Sequence, residues 1–391
     1  MPRRLCIVVA PDSFKGSLSS VVAAQAMERG IHAVFPHAEV VRVPIADGGE
    51  GTVQALIEAA GGRILRQRVT GPLGDQVEAD WGILKDGQTA VIEMASASGL
   101  GLVAAGERDP RTTTTYGTGQ LIKAALDQGL RRIIIGLGGS ATNDGGAGMA
   151  QALGARFLDE KGQPLPPGGA ALARLERIDL SGMDPRLNEA RILAACDVDN
   201  PLCGLSGASA VYGPQKGASP AVAAELDQAL ARFAQVARRT TGRDVAELPG
   251  AGAAGGLGAG LCFFTRAEFR PGIDLILETV DFEKLLQRAD LVLTGEGCTD
   301  EQTARGKAPV GIAGWAQKHQ TPVICLSGSL GPGSREVLAK GIDALMSIAD
   351  RPLSLEECMN AAERLVEEAT ARLCRCLKVG MSLQVKSGTQ N

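Results

Sequence analysis

Residues 290–309 read DLVLTGEGCTDEQTARGKAP: an apolar run, a glycine-bearing stretch with several acids, a Gly-Lys pair, and a proline where a helix could begin. The outline is that of a phosphate-holding strand, loop and helix. It is not a P-loop, which needs Gly, four residues, then Gly-Lys followed by Ser or Thr. Glu301 stands where the first Gly belongs, and Ala308 where the Ser or Thr belongs. What the stretch does settle is a local grammar. A buried strand over 290–294 leads to a loop and then a helix over 309–319, the unit from which doubly wound sheets are built.

The same grammar opens the chain. Residues 5–10, LCIVVA, form a continuous apolar run bounded by Pro11, as in a buried parallel strand. SLSSVVAAQAMERGIHAVF follows with helical spacing and Ser19 or Ser20 as a cap. A second strand (38–45), the loop DGGEG and a helix (52–60) complete the pattern. After 290–319 come a strand (322–327), a helix (335–340), a strand (342–348) and an amphipathic helix (354–377). The middle differs. Residues 63–95 alternate or run short, as antiparallel strands do. They are followed by helices at 118–128, 145–153 and 221–239 and strands at 132–137 and 191–196. The expectation is an α/β protein: a Rossmann-like doubly wound domain formed by both chain ends (1–65 plus 281–378), an inserted mixed α/β domain (66–280), an inter-domain cleft, and a flexible tail (379–391).

Composition narrows the function. At 391 residues the chain exceeds one typical core, which favours two domains. The formal charge is −4 and aromatics are 3%, so neither a basic face nor stacking platforms support a nucleic-acid polymer as partner. Nine scattered cysteines without a CxxC pair argue against zinc and a disulfide framework. No stretch approaches a membrane span or a signal peptide, so the cytoplasm is expected and a membrane partner is not. Glycine is 51 of 391 residues, roughly 13% against a usual ~7%, and clusters after apolar runs. That suits a backbone that approaches a ligand at several loops.

The three histidines (His32, His37, His319) form no HExxH, and no GxSxG elbow occurs, so metal hydrolysis by His clusters and Ser-His-Asp chemistry lack their parts. Gly136-x-Gly138-x-x-Ala141 has the outline of a dinucleotide loop, which keeps an NAD(P)-dependent hydroxy-acid oxidoreductase as an alternative. A non-catalytic two-lobed small-acid sensor is another. The loops at expected strand ends favour phosphoryl chemistry. PDSFKGS (11–17) offers Ser13, Lys15, Gly16 and Ser17 at a turn before a helix, an anion site. DGGEG offers Asp47, Gly48 and Gly49. The stretch quoted first adds Glu296, Asp300, Arg305 and Lys307. DPRTTTTYGTG (109–119) brings Arg111 and Thr115, GLGGSATNDGGAG (136–148) brings Ser140, Asn143 and Asp144, and CDVDNPL (196–202) places Asp197 and Asp199 after a strand. Paired carboxylates suit Mg²⁺. Phosphoryl transfer needs a cation on the phosphates, the metal, and a carboxylate near the accepting hydroxyl.

Seven motifs in order, APDSFKGSLS, PIADGGEGT, TTYGTG, GGSATNDGGAGM, ACDVDNPL, YGPQKGA and TGEGCTDEQTARGKAPVGIA, resemble those of the bacterial glycerate kinases of type I, from about residue 4 to 375. The resemblance implies ATP-dependent phosphorylation of D-glycerate with Mg²⁺, giving 2-phosphoglycerate. On that footing Asp197 is expected as hydroxyl base or metal ligand, with Asp47 its competitor and Asp199 and Asp300 as further metal ligands. Lys15, also expected among the catalytic residues, and Lys307 are the expected phosphate cations. They are joined on the nucleotide by Ser13, Gly16, Ser17, Gly48, Gly49 and Glu296. Arg111 or Arg305 is expected on the glycerate carboxylate, with Thr115, Ser140, Asn143 and Asp144 around the substrate.

Overall fold

The computed structural model describes residues 4–46 and 48–388. In chain order its strands are β1 (Cys6–Pro11), β2 (Glu39–Arg42), β3 (Gly62–Thr70), β4 (Gln76–Leu84), β5 (Thr89–Glu93), β6 (Arg132–Gly136), β7 (Arg156–Leu158), β8 (Arg177–Asp179), β9 (Arg191–Ala195), β10 (Glu268–Arg270), β11 (Leu291–Thr299), β12 (Val323–Leu330) and β13 (Ala344–Ser347). They fall into two units. One holds residues up to 46, 54–60 and 273 onward; the other holds 48–53 and 61–272. The expected boundaries at 65 and 280 compare with observed ones at 60 and 272, and a short stretch near 50 goes with the second unit rather than the first.

The first unit has a sheet in the order β13-β12-β11-β1-β2, with every neighbouring pair parallel. All six residues of β1 are buried, as a strand covered on both faces requires. Ile7, Val9, Leu293 and Leu326 pack with Ala23, Met27, Leu365 and Leu373 from the helices Ser20–His32 and Ala362–Gly388. From β1 the chain crosses to β2, and from β11 to β12 on the other side. Right-handed crossovers in opposite directions put the helix after β1 (Ser20–His32) and the helix between β11 and β12 (Ala308–Gln317) on opposite faces and leave a crevice beyond the ends of β1 and β11.

The second unit has the order β10-β9-β6-β5-β4-β3: parallel from β10 to β5, antiparallel from β5 to β3. The alternating stretch 63–95 thus forms the antiparallel end of a mixed sheet. β7 and β8 make a separate small hairpin. A second apolar cluster gathers Phe157, Phe233, Phe263 and Phe264, with Phe157 and Phe264 ring centroids 5.7 Å apart.

Three expectations change. The glycine-bearing stretch 294–299 is strand rather than loop: β11 stays paired with β12 out to Thr299 opposite Leu330. The helix expected over 354–377 is two, Leu355–Asn360 and Ala362–Gly388, separated at Ala361. The second of these runs through the expected flexible tail as far as Gly388, since 379–387 holds no proline and local helical bonding persists, with Ser382 Oγ donating to the Lys378 carbonyl. No helix among the described residues is long and apolar enough to cross a membrane.

Candidate active site

In the second unit, three loops meet beyond the C-terminal ends of β5, β6 and β9. The segment 48–53 lies across them. Gly48 accepts from the Gly138 amide at 3.0 Å. A Cβ at Gly136 would stand 2.3 Å from the Gly48 carbonyl oxygen. The glycines that outlined a dinucleotide loop are therefore small because a neighbouring segment of the same chain lies against them. Glu93, the last residue of β5, holds that segment: its carboxylate accepts from the Gly51 amide at 3.2 Å and the Val53 amide at 2.6 Å. Burial pushes the Glu93 carboxyl up, and those two bonds oppose the shift. Gly48 and Gly49, expected at phosphates, serve this backbone packing. Asp47 lies outside the described residues.

The turn after β6 carries the densest polar cluster. Asp144 is buried, and its carboxylate accepts from the Thr115 amide (2.9 Å), the Thr115 hydroxyl (2.9 Å), and the Gly146 and Gly148 amides (3.1 Å each). Burial pushes its carboxyl up against these four donors. Asp144 and Thr115 thus form a brace whose polar atoms are already engaged. Asn143 is fully buried; its Nδ2 donates to Ser209 Oγ at 2.9 Å, and its Oδ1 has no partner among the described residues. The Thr142 hydroxyl is orphaned in the same way. A buried, unsatisfied acceptor next to a turn of this kind marks a place for a donor from a ligand or water.

Lys216 completes the cluster, and the motif reading assigned it no role. It is 1% exposed, and its Nζ donates to Ser140 Oγ and to the Thr142 carbonyl, each at 2.7 Å. Burial lowers its pKa to about 7, a shift that Asp144 partly offsets. Its sequence signal was the frame Gly-Pro-Gln-Lys-Gly, a lysine fixed between turn formers. Behind the same turn, Ala254, Gly255 and Gly256 all take left-handed backbone conformations. A Cβ at Gly255 would stand 1.9 Å from the Thr142 carbonyl oxygen. The glycine-rich segment 251–260 is thus a bed for the turn.

Asp197 and Asp199 follow β9 and are exposed. Asp197 Oδ1 accepts from the Gly272 amide at 2.8 Å, which sets the orientation of the carboxylate. Arg111 is exposed and forks onto Asp109 at 2.8 Å. Among the described residues no three His, Cys, Asp or Glu side chains gather as a ready-made metal cage.

In the first unit, the turn after β1 lies beside β11: the Asp12 amide donates to the Gly295 carbonyl at 2.8 Å. Gly16 takes a positive φ of 75° between Lys15 and Ser17, and Ser17 Oγ donates to the Met359 carbonyl at 3.1 Å. Ser13 follows Asp12, whose carboxylate accepts from the Ser13 amide at 2.6 Å. Glu296 points into the protein. It accepts from the hydroxyls of Thr299 (2.8 Å) and Thr303 (2.6 Å), and Thr299 also bonds Ser327 Oγ at 2.7 Å. Burial raises the Glu296 pKa, opposed by these hydroxyls and by the charge of Lys307. Glu296 therefore braces the segment 299–303, where a phosphate contact was expected. Asp300 caps the short helix Glu301–Ala304, accepting from the Gln302 amide at 2.8 Å and the Thr303 amide at 3.3 Å, where a metal ligand was expected. Lys307 occupies the N-cap of Ala308–Gln317 with a proline in the first turn. Arg305 is exposed, 3.6 Å from Glu301.

Comparison with known proteins adds to this geometry. The model of the glycerate kinase family matches residues 7–378. A glycerate kinase of Bacillus subtilis is 52% identical over 377 residues, covering 96% of this chain and 99% of that protein. A glycerate 2-kinase of Escherichia coli is 50% identical over 375 residues, covering 96% and 98%. The crystal structure of a glycerate kinase 2 candidate from Salmonella typhimurium superimposes with a TM-score of 0.88 at 48% identity, covering 97% of this chain and 100% of that one.

Proposed function

The chain belongs to the glycerate kinase family, and from that premise we propose how its residues serve the reaction. It is a kinase that phosphorylates glycerate, with ATP as the phosphate donor. The finer reading is D-glycerate as acceptor and 2-phosphoglycerate as product, in the cytoplasm. The name of the Escherichia coli relative supports the position of the phosphate. The observation that carries the assignment of the acceptor site is the turn 140–144, with a buried acceptor at Asn143 Oδ1 that no described residue fills.

In this reading Ser140 and Asn143 orient glycerate, while Thr115 and Asp144 hold their turn in place. Asp197 accepts the proton of the attacking hydroxyl as its oxygen bonds to the γ-phosphorus and the bond to the leaving ADP oxygen breaks. Lys15 and Lys307, with the amides of the turn at Gly16 and of the helix start at 308, bind nucleotide phosphates. The donor set fits magnesium, which is commonly held by one or two carboxylates together with phosphate oxygens and water. Asp199, two residues after the base Asp197, is the residue that would hold it. When bound, the ion neutralises charge on the phosphates.

A coupled ADP assay over a panel of hydroxy acids tests the reaction, with the position of the new phosphate read by ³¹P NMR. ADP release with D-glycerate and a resonance of a secondary phosphate ester are expected. Release of no ADP with any acid would overturn the reading.

A further inference from the structure

Glycerate carries a carboxylate, so its site has to balance a negative charge. Of the arginines expected there, Arg111 is engaged with Asp109, and Arg305, exposed, lies near Glu301. Among the described residues, the buried cation is Lys216. Its hydrogen-bond partners are a hydroxyl and a carbonyl, both neutral. The acid whose charge acts on it, Asp144, is on the same turn, but the carboxylate of Asp144 is taken by Thr115 and the amides of Gly146 and Gly148. On the neighbouring segment, Arg108 donates to the Gln215 carbonyl, and Asp109 and Arg111 pair with each other. A buried ammonium whose hydrogen-bond partners are neutral, and whose burial the charge of Asp144 offsets only in part, is a costly state that an arriving anion relieves.

The geometry of Ser140 supplies the route. Its oxygen accepts from Lys216, which leaves its own hydrogen to be donated onward. A hydroxyl polarised from behind by a cation is a stronger donor to an anion than a hydroxyl alone. Asn143, in the same turn, keeps an acceptor for a hydroxyl. We propose that Ser140 and Lys216 together recognise the carboxylate of the acceptor: the Ser140 hydroxyl donates to it, and Lys216, acting through Ser140 as a positioning residue, supplies the balancing charge. This rests on the reading that the chain phosphorylates glycerate.

A consequence is that binding takes up a proton. With a pKa of about 7 before binding, the Lys216 amine is mostly neutral at pH 8. An anion held through Ser140 favours the ammonium. Calorimetry of glycerate binding at pH 8, without nucleotide, in two buffers of different ionisation enthalpy reads this uptake. The wild type is expected to take up close to one proton per glycerate, and its KM for glycerate to rise with pH above 7. Lys216→Met is expected to take up none, to lose that pH dependence, and to raise the glycerate KM by about 10- to 100-fold, the worth of a hydrogen bond to a charged group. Its KM for ATP and its binding of neutral glyceramide stay as in the wild type. Ser140→Ala raises the glycerate KM in the same way, and Ser140→Thr restores it.

An unchanged glycerate KM in folded Lys216→Met, the same proton uptake in that variant, or no uptake by the wild type overturns the proposal. If Lys216→Met does not fold, equal glycerate KM in Ser140→Ala and Ser140→Thr overturns it. A wild type that releases no ADP with glycerate defeats the functional reading instead, so the two failures are told apart.

Discussion

The acids of this chain divide by what surrounds them. Glu93, Asp144 and Glu296 are buried and spend their oxygens on amides and hydroxyls of their own unit, so they hold loops in shape. Asp197 is exposed at a strand end, where a substrate can reach it. Asp197→Asn is therefore expected to lower kcat by roughly 10²–10⁴-fold with the melting temperature unchanged, and steady-state kinetics beside a thermal melt check both halves. Lys216 makes a separate prediction for stability. Its folded pKa of about 7 lies below the value of an unfolded lysine. Between pH 7 and about 10 the unfolded chain binds a proton that the native chain does not, so native stability rises with pH there, by on the order of 1 kcal/mol per unit. Urea titrations from pH 7.5 to 9.5 should show this slope in the wild type and its loss in Lys216→Met. Sequence could single out Asp197, Ser140 and Asn143 as candidates because their motifs place them after strands or among glycines. It could not mark Lys216, since a lysine between turn residues reads as surface until burial is known.

Elements show the same limit from another side. Strands β1 and β11 were legible because a strand buried on both faces is a continuous apolar run. The extension of β11 through Thr299 was not, because glycine and threonine read as turn formers and their role in a parallel ladder depends on a partner far along the chain. Packing of helix on helix is likewise set by residues without a local signal. Gly30 lies in the helix Ser20–His32 against Ala362–Gly388, and a Cβ there would stand 2.4 Å from the Glu367 carbonyl oxygen. Arg29 beside it bonds both Glu363 and Glu367 at 2.7 Å, pairs that are exposed and add little by themselves. Gly30→Ala should force the two helices apart. Despite the gain in helix propensity, it should destabilise the first unit by about 1–3 kcal/mol, the usual cost of overpacking. A lower urea midpoint is the expected reading, and a midpoint equal to or above the wild type would count against the packing described.

For the whole molecule, the two-unit plan was visible because the chain ends share one pattern of strand, loop and helix while the middle alternates. The crossing of 48–53 into the second unit was not visible, since DGGEG follows β2 just as PDSFKGS follows β1. On the proposed reading the second unit takes glycerate and the first takes the nucleotide. Hydrogen exchange separates the assignments: D-glycerate should slow exchange at 140–148 and 209–217, and ADP at 13–18 and 296–307. Protection of 296–307 by glycerate alone would contradict the placement of the acceptor. The order of strands in the first sheet also has a consequence for synthesis. β1 leaves the ribosome early, yet its neighbour β11 begins only at Leu291. At a translation rate of about 5–20 residues per second, the apolar segment CIVVAP waits on the order of 15–60 s for that neighbour, while the second unit, which lies between, has time to form first. During that interval a fully apolar strand stands without three of the five strands of its sheet, the kind of exposed edge at which unfinished chains aggregate.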